Sequence, residues 1–445
     1  MTSTFELIIR NGTCVTPAGQ QRVDVGINNG KIVHVGDLSS DSAEQSIDAT
    51  NLHVLPGVID SQVHFREPGN EHKEDLESGT RAAVLGGVTA IFEMPNTAPP
   101  TTSREALQDK LDRASGRAWC DYAFFIGGTP QNSTNWHELE QLPGCSGIKI
   151  FMGSSTGDLL VAQDDAIRSI LQRSSRRCAI HAEDEARLED RKSFRVQNDP
   201  SSHPIWRDEE TAIAATRRIL NLARETGHQV HVLHITTRDE MAILPLYRDV
   251  ATVETTPQHL TLNDEAYKNI GTFAQMNPPI RAQHHVDGLW QGIRDGVVDV
   301  IGSDHAPHTR EEKARPYPDS PAGMPGVQTL VPVMLNHVNN GKLSLERFVD
   351  LTSSGPARIY NIAGKGRIAA GFDADFTLVD MKATAILDDK DMASKCGWTP
   401  YHGMKVTGIP THTIIRGNIV MEDGKLTSEN AIGEAVRFTD TMLPK

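Results

Sequence analysis

From Val54 onward, short apolar runs rich in β-formers recur eight times, with helix-like or loop segments between them, and that alternation leaves few folds open. The runs are VLPGVID (54–60), VTAIFEM (88–94), DYAFFIG (121–127), GIKIF (147–151), CAIH (178–181), QVHVLHI (229–235), VATVET (250–255) and VVDVIGSD (297–304). In the intervening segment 208–227, Ala212, Ala215, Ile219, Leu222 and Ala223 fall on one helical face, and Gly227 supplies the stop. Eight strands alternating with helices predict an α/β fold, a (β/α)₈ barrel of the TIM type.

The flanks read differently. FELIIRNGTCV, VDVGINNGKIVHVG and SIDATNLHV near the start, and GRIAAGFDADFTLVD and GIPTHTIIRGNIVMEDGKL near the end, are strands punctuated by Asn-Gly and Gly, the pattern of β-hairpins. The expectation is a small β-sandwich domain built from both chain ends, residues 1–55 and 366–445, interrupted by a barrel over 56–365. A length of 445 residues accommodates one large and one small unit.

Bulk properties exclude several classes of partner. With 44 basic against 58 acidic residues the net charge is −14, which repels phosphate backbones and argues against nucleic acid. No apolar run approaches the roughly 20 residues that span a bilayer, so no membrane role is expected. The start, MTSTFELIIRNG, carries no export pattern, and a cytoplasmic location is the expectation. Five cysteines at irregular spacing, without a CxxC pair, suggest neither a disulfide framework nor a thiolate metal site. A small-molecule substrate is expected, and an anionic one would need its own local cation.

In barrels of this kind functional groups sit at the C-terminal ends of strands and in the loops that follow. Strand one ends near Gln62, His64 and Arg66, and strand two runs into Asn96. Strand four contains Lys149, strand five ends at His181, strand six reaches His234, and strand eight ends at Asp304, with His308 just beyond. Asn277 lies between strands seven and eight. Each alone has a bland reading as a satisfied core histidine, a snorkelling lysine or a turn carboxylate. The joint placement of three imidazoles, a lysine and a carboxylate at the ends of five different strands is what points to a site. His231, three residues before His234 in a strand, is expected to face the other way.

These residues resemble the amidohydrolase superfamily, and within it the dihydroorotases and their cyclic-amidase relatives. The motifs that carry the likeness are HFREPG in strand one, GGVTAIFEMPNTAPPT (86–101), GIKIFMGSSTG (147–157), IHAED (180–184), HVLHI (231–235), SDHAPH (303–308), PAGMPGVQT (321–329) and GRIAAGFDADFTLVD (366–380). The resemblance implies a hydrolase acting on a cyclic amide, dihydroorotate above all, in pyrimidine biosynthesis. It makes His64 a ligand of one metal (α), His181 and His234 ligands of a second (β), and Lys149 a carboxylated bridge between them. Asp304 becomes an α ligand and the catalytic proton shuttle. Zinc, one or two per chain, suits these ligands. The resemblance assigns the substrate carboxylate to Arg66 and Asn96, and the ring amide and carbonyl to Asn277, His308 and the backbone at Ala322 and Gly323. Relatives that open hydantoin or allantoin share the metal ligands but generally lack the arginine at the position of Arg66.

One position departs from the family pattern. Where the first strand-one histidine belongs, the chain has Gln62, a neutral oxygen donor in place of an imidazole nitrogen. The expectation is an α site weakened relative to β. Three explanations stay open: an enzyme working with one metal or a degraded pair, a silent subunit that scaffolds aspartate transcarbamoylase, or an engineered replacement at Gln62; a related cyclic amidase of the hydantoinase or allantoinase kind is the further functional alternative. A homo-oligomer is expected in each case.

Overall fold

The computed structural model of the chain describes residues 4–130, 136–155 and 159–442. Its centre is an eight-stranded parallel sheet in which each strand pairs with the next in sequence: Val58–Val63, Val88–Glu93, Asp121–Gly127, Cys145–Phe151, Cys178–His181, Val230–Val232, Ala251–Thr255 and Val300–Ile301. The sheet closes on itself, because Val63 bridges His305 in parallel and the His64 N–H donates to the His305 carbonyl at 2.7 Å. The result is a (β/α)₈ barrel. Alternate strand residues face opposite ways: Val58, Ile148, Ile180, Val232 and Val253 pack outward with the helices, whereas Ile59, Phe92, Phe125, Ala179 and Leu233 fill the interior.

The helix expected over 208–227 runs from Glu209 to Thr226. The Asp208 side chain caps its first turn by accepting from the Thr211 N–H, and Gly227 ends it at φ 68°, a conformation glycine adopts without steric penalty. Its buried face contains Ala212, Ala215, Ile219, Leu222 and Ala223.

Strands from both ends of the chain share a second sheet. His53–Pro56 pairs with Phe376–Ile386, which pairs with Lys405–Ile415, and this seven-stranded sheet faces a four-stranded one formed by Thr4–Arg10, Asp24–Asn28, Lys31–Gly36 and Ser42–Asp48. Leu7, Ile9, Val25 and Ile27 meet Phe376, Leu378 and Ile414 in one core between them.

Two details differ from the sequence expectation. The run 54–60 is not one strand: it breaks at Gly57, with Val54–Pro56 in the second sheet and Val58 onward in the barrel. A side chain at Gly57 would meet the Thr89 hydroxyl at 2.4 Å, so the crossing between sheets is open only to glycine. The chain end also leaves the sandwich. Glu434 and Val436 hydrogen-bond to Tyr122, and Val436 and Phe438 join the barrel interior beside Phe92 and Tyr360. Their apolar surface is buried there more fully than a sheet edge allows.

A buried charge cluster ties the barrel to the C-terminal part of the chain. The Lys365 ammonium lies 2.7 Å from Asp121 and also pairs with Asp375, while Arg416 pairs with Asp121 from the other side. Removing the Lys365 ammonium takes from Asp375 its ion-pair partner and leaves Asp121 to Arg416 alone, so buried carboxylate charge goes uncompensated. Lys365→Ala is therefore expected to destabilise the fold by about 3–5 kcal/mol, read as a lowered urea midpoint. An unchanged midpoint would mean that the carboxylates are neutralised another way.

Candidate active site

At the C-terminal mouth of the barrel one pocket is lined by Gln62, His64, Arg66, Asn96, Lys149, His181, His234, Asn277, Asp304, Ala322 and Gly323, together with Phe151, Ser155 and Ala306. The backbone departs from regular geometry where it delivers these groups. The first barrel strand shifts register between Asp60 and Val63, a bulge that carries both Gln62 and His64 to the pocket. Arg66, His234 and Asp304 have φ of 67°, 36° and 45°, in the left-handed region that residues other than glycine seldom occupy. Each such residue costs on the order of 1–3 kcal/mol and persists only where its surroundings enforce it. Thr156 and Gly157, the end of the 147–157 motif, lie outside the described residues.

On one side two imidazoles converge, His181 Nδ1 lying 3.0 Å from His234 Nε2. Behind them, His181 Nε2 donates to Glu183 at 2.9 Å, which makes Nδ1 the acceptor toward His234 Nε2, and Arg207 grips Glu183 at 2.5 Å. Burial lowers the pKa of both histidines, so neither is protonated at neutral pH. Lys149 is 1 % exposed, and its amine lies 4.6 Å from the Phe151 ring centroid. Burial pushes its pKa down to about 7, opposed by the charges of Asp304 and Glu254.

On the other side Asp304 Oδ1 is the meeting point. It accepts from the Gln62 amide at 2.9 Å and lies 3.1 Å from His64 Nε2, while His64 Nδ1 sits 2.7 Å from Asn96 Oδ1. Arg66 spans the third wall, donating through Nε to the Pro307 carbonyl at 3.1 Å and placing a terminal nitrogen 3.2 Å from His308 Nε2. No carboxylate pairs with Arg66 among the described residues, although it is 4 % exposed. Burial lowers its pKa to about 10, which leaves it charged at neutral pH. His308, outside the pocket lining, is held neutral by burial and the neighbouring Arg66, with a pKa of about 3, and its Nε2 lies 3.1 Å from the Ala322 carbonyl.

Some expectations need correction in detail. The Gly323 N–H is committed to the Gln275 carbonyl at 2.9 Å and is not free to meet a ligand. Asn277 Oδ1 is engaged by His203 Nε2 at 3.0 Å, so its amide nitrogen is the group left toward the pocket, 3.5 Å from Ser155 Oγ. His231 does not face away from the barrel. It points inside, a layer below His234, bonded to Thr252 Oγ1 at 2.8 Å and stacked edge-on against Tyr360. Strand parity fails to separate the two because His234 lies past the strand end, on its own turn of the backbone. Glu183 and Arg207 had not been singled out. Glu183 was findable, two residues beyond His181, but nothing local marks Arg207.

The donor set fits a divalent cation on the imidazole side. Two ligand nitrogens on one tetrahedral zinc, at Zn–N of about 2.0–2.1 Å, lie roughly 3.3 Å apart, close to the observed 3.0 Å. Among the described residues no three His, Cys, Asp or Glu side chains gather into a metal site by themselves. The third group beside the imidazoles is Lys149, which can ligate only after its amine takes up carbon dioxide as a carbamate.

What such a pocket can perform is hydrolysis: nitrogen donors suited to a cation, a carboxylate able to move protons, and a guanidinium waiting for an anion face one space. The chain is a barrel hydrolase. Residues 53–420 match the amidohydrolase family, and the chain belongs to that family. Among curated proteins it is 36% identical over 404 residues to a dihydroorotase of Halobacterium salinarum, covering 90% of this chain and 93% of that protein. It is 35% identical over 453 residues to an allantoinase of Rubrobacter xylanophilus, covering 98% of each. Among solved structures, the L-hydantoinase of Arthrobacter aurescens superposes with a TM-score of 0.92 at 29% identity, over 97% of this chain and 99% of that one.

Proposed function

We propose that the chain interconverts dihydroorotate and N-carbamoyl-aspartate, the cyclic-amide step of pyrimidine biosynthesis. The observation that carries this reading is Arg66, a buried guanidinium with no carboxylate partner among the described residues, in the same pocket as the His181–His234 pair. An unpaired buried cation is costly unless a ligand anion completes it. Dihydroorotate carries a carboxylate on its ring; allantoin and simple hydantoins do not.

In this reading Arg66 and Asn96 hold the substrate carboxylate and fix the ring amide over the imidazole side. His181, His234 and carboxylated Lys149 would hold a divalent cation, which would supply Lewis acidity and lower the pKa of the attacking water. Asp304 takes the proton of that water and delivers it to the ring nitrogen as the C–N bond breaks, which accounts for every atom of the added water. Gln62 and His64 orient Asp304 by contacting the same carboxylate oxygen. A recess of about 250 Å³, sharing Ser155, Asn277 and Ala322 with the pocket, gives the substrate a way in past Lys192, Arg195 and Trp206.

A second reading, hydrolysis of an uncharged cyclic ureide, is favoured by the allantoinase and hydantoinase likenesses and opposed by Arg66. A silent scaffold for aspartate transcarbamoylase would gain nothing from three strained residues and an unpaired buried guanidinium. Zinc- and bicarbonate-treated protein is expected to open dihydroorotate and to close N-carbamoyl-aspartate. Turnover of allantoin or hydantoin alone, or no turnover with metal bound, would replace this reading.

A further inference from the structure

We infer that the Gln62 carboxamide stands in for the second cation of the family pattern, so that this chain holds a single divalent metal per active site. The inference rests on the metal-dependent reading above and sharpens it. A paired-metal centre needs Asp304 and the strand-one side chains to turn lone pairs toward a common cation. Here Gln62, 1 % exposed, turns an N–H to Asp304 Oδ1 at 2.9 Å, and His64 Nε2 reaches the same oxygen at 3.1 Å. Asp304 Oδ1 is thereby already satisfied by donors within the protein.

The amide could flip, but chemistry opposes that. With its oxygen toward Asp304, two acceptors would face each other at the same separation with no hydrogen between them. The present orientation leaves Gln62 Oε1 buried without a partner, an acceptor for a substrate N–H or a water. A cation could gain Oε1 only by breaking the amide's bond to Asp304, and it would obtain a neutral oxygen where zinc favours nitrogen. The imidazole side differs in kind: the single hydrogen bond between His181 Nδ1 and His234 Nε2 is released by a tautomer shift of His234, after which both nitrogens offer lone pairs to a cation. The two halves of the pocket are therefore unequal: one gathers ligands, and the other holds its carboxylate with hydrogen bonds that need no metal.

The experiment counts metal per chain by mass spectrometry, after incubation of the full chain with excess zinc and bicarbonate and removal of free ions. The natural chain is expected to retain one zinc, and Gln62→His two. Gln62→Glu, which supplies an anionic ligand in place of the amide, is also expected to reach two and guards against misfolding of the histidine variant. Retention of the first zinc reports an intact fold in both. Two zinc ions in the natural chain would overturn the inference while leaving the proposed function standing. One zinc in the natural chain and in both folded variants would equally overturn it, because Gln62 would then not be what excludes the second ion. No zinc in the natural chain would remove the metal-dependent reading itself, and this inference with it.

Discussion

Lys149→Ala is expected to lose its bound metal and at least about 10³-fold in turnover, roughly 4 kcal/mol of transition-state stabilisation. Lys149 is the one group beside the imidazole pair that can be turned from an amine into an oxygen ligand. Its burial favours that conversion, since only the uncharged amine adds carbon dioxide, releasing a proton as the carbamate forms. With the pKa pushed down to about 7 by burial, much of the amine is free at neutral pH, whereas an ordinary lysine would be almost wholly ammonium. The sign follows directly. Below pH 7 the ammonium predominates and carboxylation slows about tenfold per pH unit; above it the dependence flattens. Protein stripped of metal and carbon dioxide should therefore recover activity with zinc, when dissolved carbon dioxide is held at one concentration, at a rate that climbs from pH 6 and levels by about pH 8. Recovery insensitive to pH, or an alanine variant that keeps its zinc, would exclude a carboxylated Lys149.

The barrel was legible because its eight runs are short, apolar and separated by helix-like or loop segments, a signal that survives without knowledge of any contact. The helix Glu209–Thr226 was legible for the same reason, with Asp208 and Gly227 marking its ends. What the pattern could not disclose were the places where the backbone leaves its period. The bulge after Asp60 and the left-handed turns at His234 and Asp304 are imposed by neighbours distant in sequence. Nothing in the strings around them predicts a positive φ. For that reason strand parity sets His231 and His234 on opposite sides, whereas both side chains lie inside the barrel. Arg207 carries no mark in the sequence because it supports His181 through Glu183 across 24 residues, a relation that exists only in three dimensions.

Arg66→Met is expected to reduce kcat/KM for dihydroorotate by about 10²- to 10³-fold, through KM more than kcat, while leaving turnover of uncharged cyclic ureides unchanged or raised. Losing one partner of a buried, hydrogen-bonded charge pair costs roughly 2–5 kcal/mol, and the substrate carboxylate would be left desolvated without its fork. Arg66→Lys should recover little, because an ammonium cannot reproduce two parallel donors and sits differently against the Pro307 carbonyl and His308. Stability supplies the control. In the ligand-free protein Arg66 is a buried cation with no carboxylate partner among the described residues, so replacing it with an apolar side chain of similar length should leave the thermal midpoint unchanged or higher. That combination, weaker substrate with an equal or more stable fold, is the signature of a residue kept for its ligand. An equal loss for charged and uncharged substrates would instead make Arg66 a support for the strand-one turn, and the choice among cyclic amides would have to lie elsewhere in the pocket.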